Sequence, residues 1–389
     1  MVKAVKFLLL LTGLFVAGCS SPSNSRHLEL SPQSHSLSSL PKLYVSSWFA
    51  PFDITRGLQS FTEHANDLNE INPVWYNLNP SYYQPGAEPF NTKLFQKGPI
   101  ETLAKTNGVK LVPTIQNWGT TNFDPKVISR IINNPVDRYE HVREILELVI
   151  ENEYDGIDID YENLPITDTE GFSAFIRELG TALHDHGKLL SVALHPKTTT
   201  EANWSGPGAQ DWVVMAQYAD ELKIMVYDFH WISYHAGPIA PLDWLRDVLE
   251  YAATIPEDKG KIIIGLPLYG YDWGPEGIAK ALTYNDTIKL MTERNVYSAS
   301  REHVDDSEDF CRFYTDNNEP HFQYQLNGAT HTVYFQDVQA IEKRVAIVKE
   351  YPELVKGIDF WRLGGESPEI WTEVGKINIK GGELLASLN

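Results

Sequence analysis

The sequence predicts an α/β fold, a (β/α)8 TIM barrel carrying a small α+β insertion between its seventh and eighth strands. Three observations predict it. Short apolar runs of strand character alternate with segments of helical period, eight times over. The folded stretch, residues 41–375, is longer than the ~250 residues such a barrel needs. No glycine-rich loop follows the first run, as a doubly wound nucleotide-binding sheet would require.

The chain has 389 residues, and the first 40 stand apart. Lys3 and Lys6 precede an apolar run at residues 7–16 that is too short to cross a bilayer, so residues 1–19 read as a signal peptide. Val16-Ala17-Gly18-Cys19 resembles the bacterial lipobox. That resemblance implies lipidation of Cys19 and anchoring to a membrane of the cell envelope, with Ser20 resembling the sorting choice for an outer membrane. Residues 20–40 are rich in Ser, contain Pro22 and Pro32 and have no apolar period, which is the composition of a tether.

The strand runs follow at residues 43–48, 73–78, 110–115, 156–161, 189–194, 222–227, 262–268 and 358–361. Residues 127–151 set Ile128, Ile131, Ile132, Val142, Ile145, Leu146 and Val149 at helical spacing around a break at Pro135. Residues 172–184 place Phe172, Phe175, Ile176, Leu179 and Leu183 on one helical face. Between residues 268 and 358 there is too much chain for one helix. Residues 310–314, 321–326 and 331–335 alternate in polarity, with Asp316-Asn317-Asn318 and Asn327-Gly328 as turns, so an antiparallel insertion is expected over residues 296–335. Active sites of such barrels lie at the C-terminal ends of the strands, where this insertion would wall the cleft. Residues 376–389 form a C-terminal tail in this reading.

Composition excludes several classes. Lys and Arg number 32 against 52 Asp and Glu, a formal net charge of −20, so the surface repels phosphate backbones and nucleic acid is not an expected partner. Two cysteines, Cys19 and Cys311, exclude a disulfide scaffold and a multi-cysteine metal site. With Cys19 acylated, Cys311 is expected to be a reduced, buried apolar residue. Aromatic residues reach 12%, which serves a large core or the stacking of sugar rings equally well.

Residues 155–162, Asp-Gly-Ile-Asp-Ile-Asp-Tyr-Glu, carry the most chemistry. Strand side chains alternate, so Asp158, Asp160 and Glu162 share one face while Ile157, Ile159 and Tyr161 share the other. In a barrel wrapped by helices the apolar set faces the helices and the acids face the lumen. Three stacked carboxylates cannot all ionise cheaply, so at least one pKa rises. Glu162, last in the row, emerges at the catalytic rim, where a raised pKa suits a general acid. Acid catalysis, a divalent-cation site and a purely structural acidic edge all remain open on these residues alone.

Asp155-x-x-Asp158-x-Asp160-x-Glu162 resembles the DxxDxDxE signature of glycoside hydrolase family 18, the chitinase family. Met225-Val226-Tyr227-Asp228 resembles the family's sixth-strand MxYD motif, and Gly265-Leu266-Pro267-Leu268-Tyr269-Gly270 its seventh-strand segment. Trp361 ends the eighth strand, as the family's floor tryptophan does, and the resemblance extends over residues 41–371. Residues 72–76 and 223–231 are most similar to the branch of spore-cortex-type glucosaminidases. The SxGG motif of typical chitinases is absent from the third strand, and wall-binding LysM repeats are absent altogether.

The resemblance implies a retaining glycosidase acting on β-linked N-acetylglucosamine glycans, chitin oligosaccharides or peptidoglycan strands, by substrate assistance and without metal or cofactor. It implies that Glu162 is the acid and then the base, that Asp160 orients the substrate acetamido group, and that Asp158 tunes Asp160. Tyr227 would donate to the acetamido carbonyl, and Trp361 would floor the site. Met225 and Asp228 are assigned to the inward face of the sixth strand with Tyr227 at its rim, which requires a bend at the strand end. Trp118 and Tyr76, ending the third and second strands, are assigned to the sugar cleft with Asn117; core packing is the competing reading for these three. His195, His230 and His235 stand near strand ends at no zinc spacing and are expected in surface or supporting roles. The competing functions are a non-catalytic lectin on the same barrel, against which Glu162 argues, and a metal-dependent hydrolase.

Overall fold

The computed structural model describes residues 42–201, 205–255, 259–294, 296 and 319–378. The expected signal peptide and tether, Cys19, Cys311, the run at residues 310–314 with its following turn, and residues 379–389 of the tail lie outside these described residues.

Eight parallel strands form the barrel: β1 Tyr44–Phe49, β2 Glu70–Leu78, β3 Thr114–Gln116, β4 Gly156–Asp160, β5 Leu189–Leu194, β6 Glu221–Met225, β7 Ile262–Pro267 and β8 Val355–Trp361. Each pairs in parallel with its neighbours in chain order, and β1 pairs with both β2 and β8, which closes the sheet. A helix follows each strand: α1 Ile54–His64, α2 Lys97–Asn107, α3 Pro135–Glu151, α4 Thr169–His184, α5 Trp212–Tyr218, α6 Leu242–Ala252, α7 Val338–Val348 and α8 Ile370–Ile377. The helical stretch before α4 breaks as Pro135 demands, into Lys126–Asn133 and α3. Asn134 caps α3, its side chain accepting from the Val136 and Asp137 amides, with Pro135 at the first helical position.

Parallel strands are covered on both faces, and the two faces here differ in chemistry. The outer face is apolar. Ile157, Ile159 and Tyr161 of the β4 segment pack under α3 and α4, where Phe172, Phe175, Ile176 and Leu179 are buried. The lumen is polar and cross-linked by ion pairs and hydrogen bonds. Buried Lys223 of β6 pairs with Glu70 of β2 at 2.8 Å and Asp359 of β8 at 3.0 Å, and donates to Asn72 at 2.6 Å. Burial alone would raise Glu70, but the Lys223 ammonium and the Asn72 amide hold it down to about 2. An isolated buried charge would be strongly unfavourable, so one cation shared by two acids from the strands flanking β1 is what keeps this lumen tolerable.

The insertion follows β7 directly. Its antiparallel sheet runs in the order Lys280–Leu282, Gly270–Trp273, Ala329–Tyr334, His321–Leu326. It therefore draws on residues 270–282 as well as on the later part expected from alternation. Asn327 and Gly328 form the hairpin turn with φ of 52° and 82°, the left-handed pair that a two-residue loop needs. The sheet has its own core, with Phe322, Val333, Phe335 and Met291. Buried Glu319 accepts from the Ile239 and Ala240 amides and from Arg344 of α7, fixing the start of the hairpin to the loop after β6.

Candidate active site

The acid row lies where the alternation of β4 puts it. Asp158 is wholly buried, and its oxygens accept from Trp48 Nε1 at 2.9 Å, Thr114 at 2.9 Å and Ser191 at 2.7 Å. Those donors come from β1, β3 and β5, so the carboxylate is fixed by three strands. Asp160 sits one pleat higher, with its side chain hydrogen-bonded to that of Glu162. Burial, then the Asp158 charge, raises Asp160 to about 8 against that hydrogen bond. Asp160 Oδ1 is buried and accepts no hydrogen bond among the described residues. Glu162 lies just past the end of β4. Burial, then the Asp160 charge and hydrogen bond, then Asp228, push it well above the usual carboxylate range. Two adjacent, hydrogen-bonded acids whose pKa values are both raised titrate as a pair, an arrangement suited to proton transfer from the outer one.

Asn117 grips the Glu162 backbone. Its Nδ2 donates to the Glu162 carbonyl at 3.0 Å and its Oδ1 accepts the Glu162 amide at 2.9 Å. Both polar ends are therefore engaged by the loop that carries Glu162, so the contacts Asn117 makes in the structure are to that loop. Trp118, next in sequence, is 40% exposed beyond β3 with its ring edge-on to Phe123. Asn77 Oδ1 accepts the Trp118 amide and Asn77 Nδ2 donates to its carbonyl.

Tyr76 does not join the site. Its hydroxyl shares a 2.8 Å hydrogen bond with Tyr154, and its ring packs on Phe90 in the layer between barrel and helices. The register of β2 against β3 shifts between Val74 and Tyr76. Val74 faces the lumen, and the irregularity turns Tyr76 outward.

Strand β6 ends at Met225, and the chain bends there as required, but the phase differs from the one expected. Met225 and Tyr227 share the inward side, packed with Trp48, Val74, Ala193 and Trp361. Asp228 is reached through a left-handed residue, its own φ being 60°, and lies exposed at the rim. There its Oδ1 accepts from Tyr271 at 3.0 Å and from Tyr269. Those two tyrosines lead from β7 into the insertion, so Asp228 ties the insertion to the mouth of the barrel. The Tyr227 ring lies against β7 at Gly265, where a Cβ would come 3.2 Å from its Cε1. Burial, then Asp160, Glu162 and Asp228, push the Tyr227 hydroxyl well up, so it stays protonated and can donate. Trp361 ends β8 partly open, edge-on to Trp48 at 5.9 Å, with exposed Phe52 6.4 Å away.

Several groups in this site were not singled out from sequence. Trp48, Thr114 and Ser191 hold Asp158, and Tyr269 and Tyr271 hold Asp228. His195 stands nearest the chemistry, its Nε2 3.5 Å from Glu162 Oε2. Residues 191, 193 and 195 share one face by strand period, so this position was available to the same argument that placed the acids.

A closed parallel barrel whose fourth strand lifts stacked acids to its mouth, beside Trp361 and Trp48, places the candidate site at the C-terminal end of the strands, where enzymes of this fold carry their chemistry. The sequence pattern of the glycosyl hydrolases family 18 matches residues 44–366, and the chain belongs to that family. Among curated relatives, it is 31% identical over 265 residues to the putative sporulation-specific glycosylase YdhD of Bacillus subtilis, covering 66% of this chain and 59% of that protein. It is 26% identical over 282 residues to the cortical fragment-lytic enzyme of Bacillus subtilis, covering 70% of this chain and 61% of the other. The chain thus spans about three fifths of the length of these relatives. Among solved structures it superposes on the spore cortex-lytic enzyme SleL of Bacillus megaterium with a TM-score of 0.73 at 24% identity, covering 87% of this chain and 75% of that one. A chitinase from Chromobacterium violaceum gives 0.74 at 23%, covering 86% and 98%. At those identities the structures establish the shared fold.

Proposed function

We propose that this chain is a retaining glycosidase that cleaves β-linked N-acetylglucosamine glycans by substrate assistance. The observation that carries the reading is the acid row at the barrel mouth, Asp160 hydrogen-bonded to Glu162, with a buried Asp160 oxygen that accepts nothing from the described residues. A substrate acetamido N–H is the donor that oxygen suits. In this reaction the acetamido carbonyl oxygen attacks the anomeric carbon as the glycosidic bond breaks, and Glu162 gives its proton to the leaving oxygen. Asp160 accepts the acetamido N–H and balances the positive oxazolinium, while the Tyr227 hydroxyl donates to the acetamido oxygen. Water then attacks from the vacated face, Glu162 takes its proton, and configuration is retained. Trp361 supplies the apolar floor under the reacting ring.

The names of the relatives support trying spore-cortex fragments and chitin oligosaccharides beside purified peptidoglycan. Chain beginning after Cys19, and its Glu162→Gln variant, are incubated with each glycan and the products weighed by mass spectrometry. Wild-type cleavage is expected, with turnover lowered about 10²–10⁴-fold in Glu162→Gln and sugar affinity kept. Tight binding by both forms without cleavage would replace the enzyme with a lectin. The lipobox-like residues 16–19 support envelope anchoring through Cys19. In a bacterial host, Cys19→Ala is expected to move the protein from the membrane to the soluble fraction with its activity intact; an unchanged membrane fraction would refute the anchor.

A further inference from the structure

The end of β5 brings a base to the carboxyl group that the proposed reaction turns over. Ser191, Ala193 and His195 alternate into the lumen: Ser191 donates to Asp158, Ala193 packs with Met225 and Trp48, and His195 reaches Glu162 at 3.5 Å. The backbone that carries the imidazole is held in place from behind. The His195 amide donates to Gln210 Oε1 at 2.8 Å, Gln210 Nε2 returns to the Ala193 carbonyl at 3.4 Å, and the Lys197 ammonium donates to the Gln210 carbonyl. The residue is 8% exposed. A nearly buried histidine, pinned through its own backbone with Nε2 3.5 Å from a carboxylate oxygen, is more than filler for a strand end.

We propose that His195 is a positioning residue for Glu162, its neutral ring presenting Nε2–H to the carboxylate that exists between the two halves of the reaction. This rests on the glycosidase reading above. No proton passes to His195. Glu162 gives its proton to the leaving oxygen, the resulting carboxylate accepts the Nε2–H hydrogen bond while the oxazolinium stands, and Glu162 is reprotonated by the attacking water. Among the described residues, four groups face Glu162: Asp160 from its own strand, Tyr227 and Asp228 from the end of β6, and His195 just past the end of β5. The two aspartates oppose a second negative charge, and Tyr227 is committed to the substrate acetamido oxygen. Among the described residues, Glu162 and Lys197 are charged groups facing His195. Burial, then Lys197, push its pKa down to about 4, so the ring is neutral through the physiological range and can donate without being lost as an acid.

A donor that favours the Glu162 carboxylate lowers the pKa of that acid relative to the same site without it. His195→Ala therefore moves the basic limb of the kcat/KM profile to higher pH. It slows cleavage of an oligosaccharide, whose leaving sugar needs the proton, by about 10-fold, and leaves an aryl glycoside of the same sugar, whose leaving phenolate does not, within about 2-fold. His195→Gln retains a neutral N–H donor and is expected to recover most of the loss. The experiment measures both substrates from pH 4 to 9 for wild type, Glu162→Gln, His195→Ala and His195→Gln. Equal losses on both substrates, or an unmoved basic limb in His195→Ala, would overturn the proposal while Glu162→Gln still upheld the enzyme. An inactive wild type would overturn the enzyme reading and this inference with it. Should His195→Ala fail to fold, the ¹⁵N shifts of the wild-type ring decide: an Nε2-protonated neutral tautomer from pH 5 to 8 is expected, and an Nδ1-protonated one refutes the role.

Discussion

Asp160 carries opposing demands of stability and function. Burial and the Asp158 charge raise its pKa to about 8 in the folded chain, where it and Glu162 titrate as a pair, whereas an unfolded aspartic acid releases its proton near pH 4. Below pH 4 both states are protonated and the group does not disfavour folding. As pH rises toward 8 the unfolded state sheds the proton and the folded state does not, so this site's contribution is progressively lost across that window. Asp160→Asn removes the titration while keeping the shape. It is expected to be on the order of 1–2 kcal/mol more stable than wild type at pH 8, with the difference vanishing toward pH 4, and to have little activity. Urea unfolding at the two pH values checks this, and an equal difference at both would show that the side chain acts by packing alone. Period two made the acid row readable as residues, because one phase decision orients Asp158, Asp160 and Glu162 together. His195 was readable by the same period, but a lone histidine after a strand carries no spacing signal, and what gives it meaning is a neighbour 33 positions away.

At the scale of elements, the site depends on loops that continue past the ends of strands. Glu162 lies beyond the last residue of β4, and its backbone is held by Asn117, which lies beyond the last residue of β3. The two hydrogen bonds extend the ladder by one rung through a side chain. Asn117→Ala leaves the Glu162 amide and carbonyl without those partners. A loss of about 1–3 kcal/mol in stability is expected. A fall of at least about 10-fold in kcat with a smaller change in KM should accompany it, because the acid loses its aim more than the site loses its sugar contacts. Thermal unfolding together with steady-state kinetics tests it; an effect on KM alone would return Asn117 to the sugar cleft. Such side-chain brackets and the shift in β2 that turns Tyr76 outward leave no periodic trace in sequence. The left-handed step at Asp228 leaves none either, since the motif there reads as four more strand residues. The insertion's first strand, Gly270–Trp273, was hidden for a related reason: it follows β7 so closely that its apolar residues read as more of the same run. Helix breaks and tight turns were legible because Pro135 and Asn327-Gly328 act locally.

Across the whole molecule, lumen and surface use charge differently. Inside, Lys223 links β2, β6 and β8 within a barrel already closed by β1, so Glu70 and Asp359 share one ammonium beneath the acid row, where water cannot screen them. Outside, the formal charge of −20 is unbalanced and acts at long range. A neutral chitin oligosaccharide is indifferent to that field. A glycan strand bearing carboxylate-terminated peptides is repelled by it, and the repulsion extends about 30 Å at 10 mM salt but only about 8 Å at 150 mM. On the proposed reaction, kcat/KM for peptidoglycan strands should therefore rise severalfold between those salt concentrations, through faster association, while kcat/KM for chitin oligosaccharides stays constant. Paired measurements on the two substrates separate this from any general effect of salt on the enzyme. If both respond alike, the field at the mouth is not the field of the whole surface. The excess acid would then lie on faces turned away from the approaching chain, and the choice between neutral and acidic glycans would be made by contacts within the cleft.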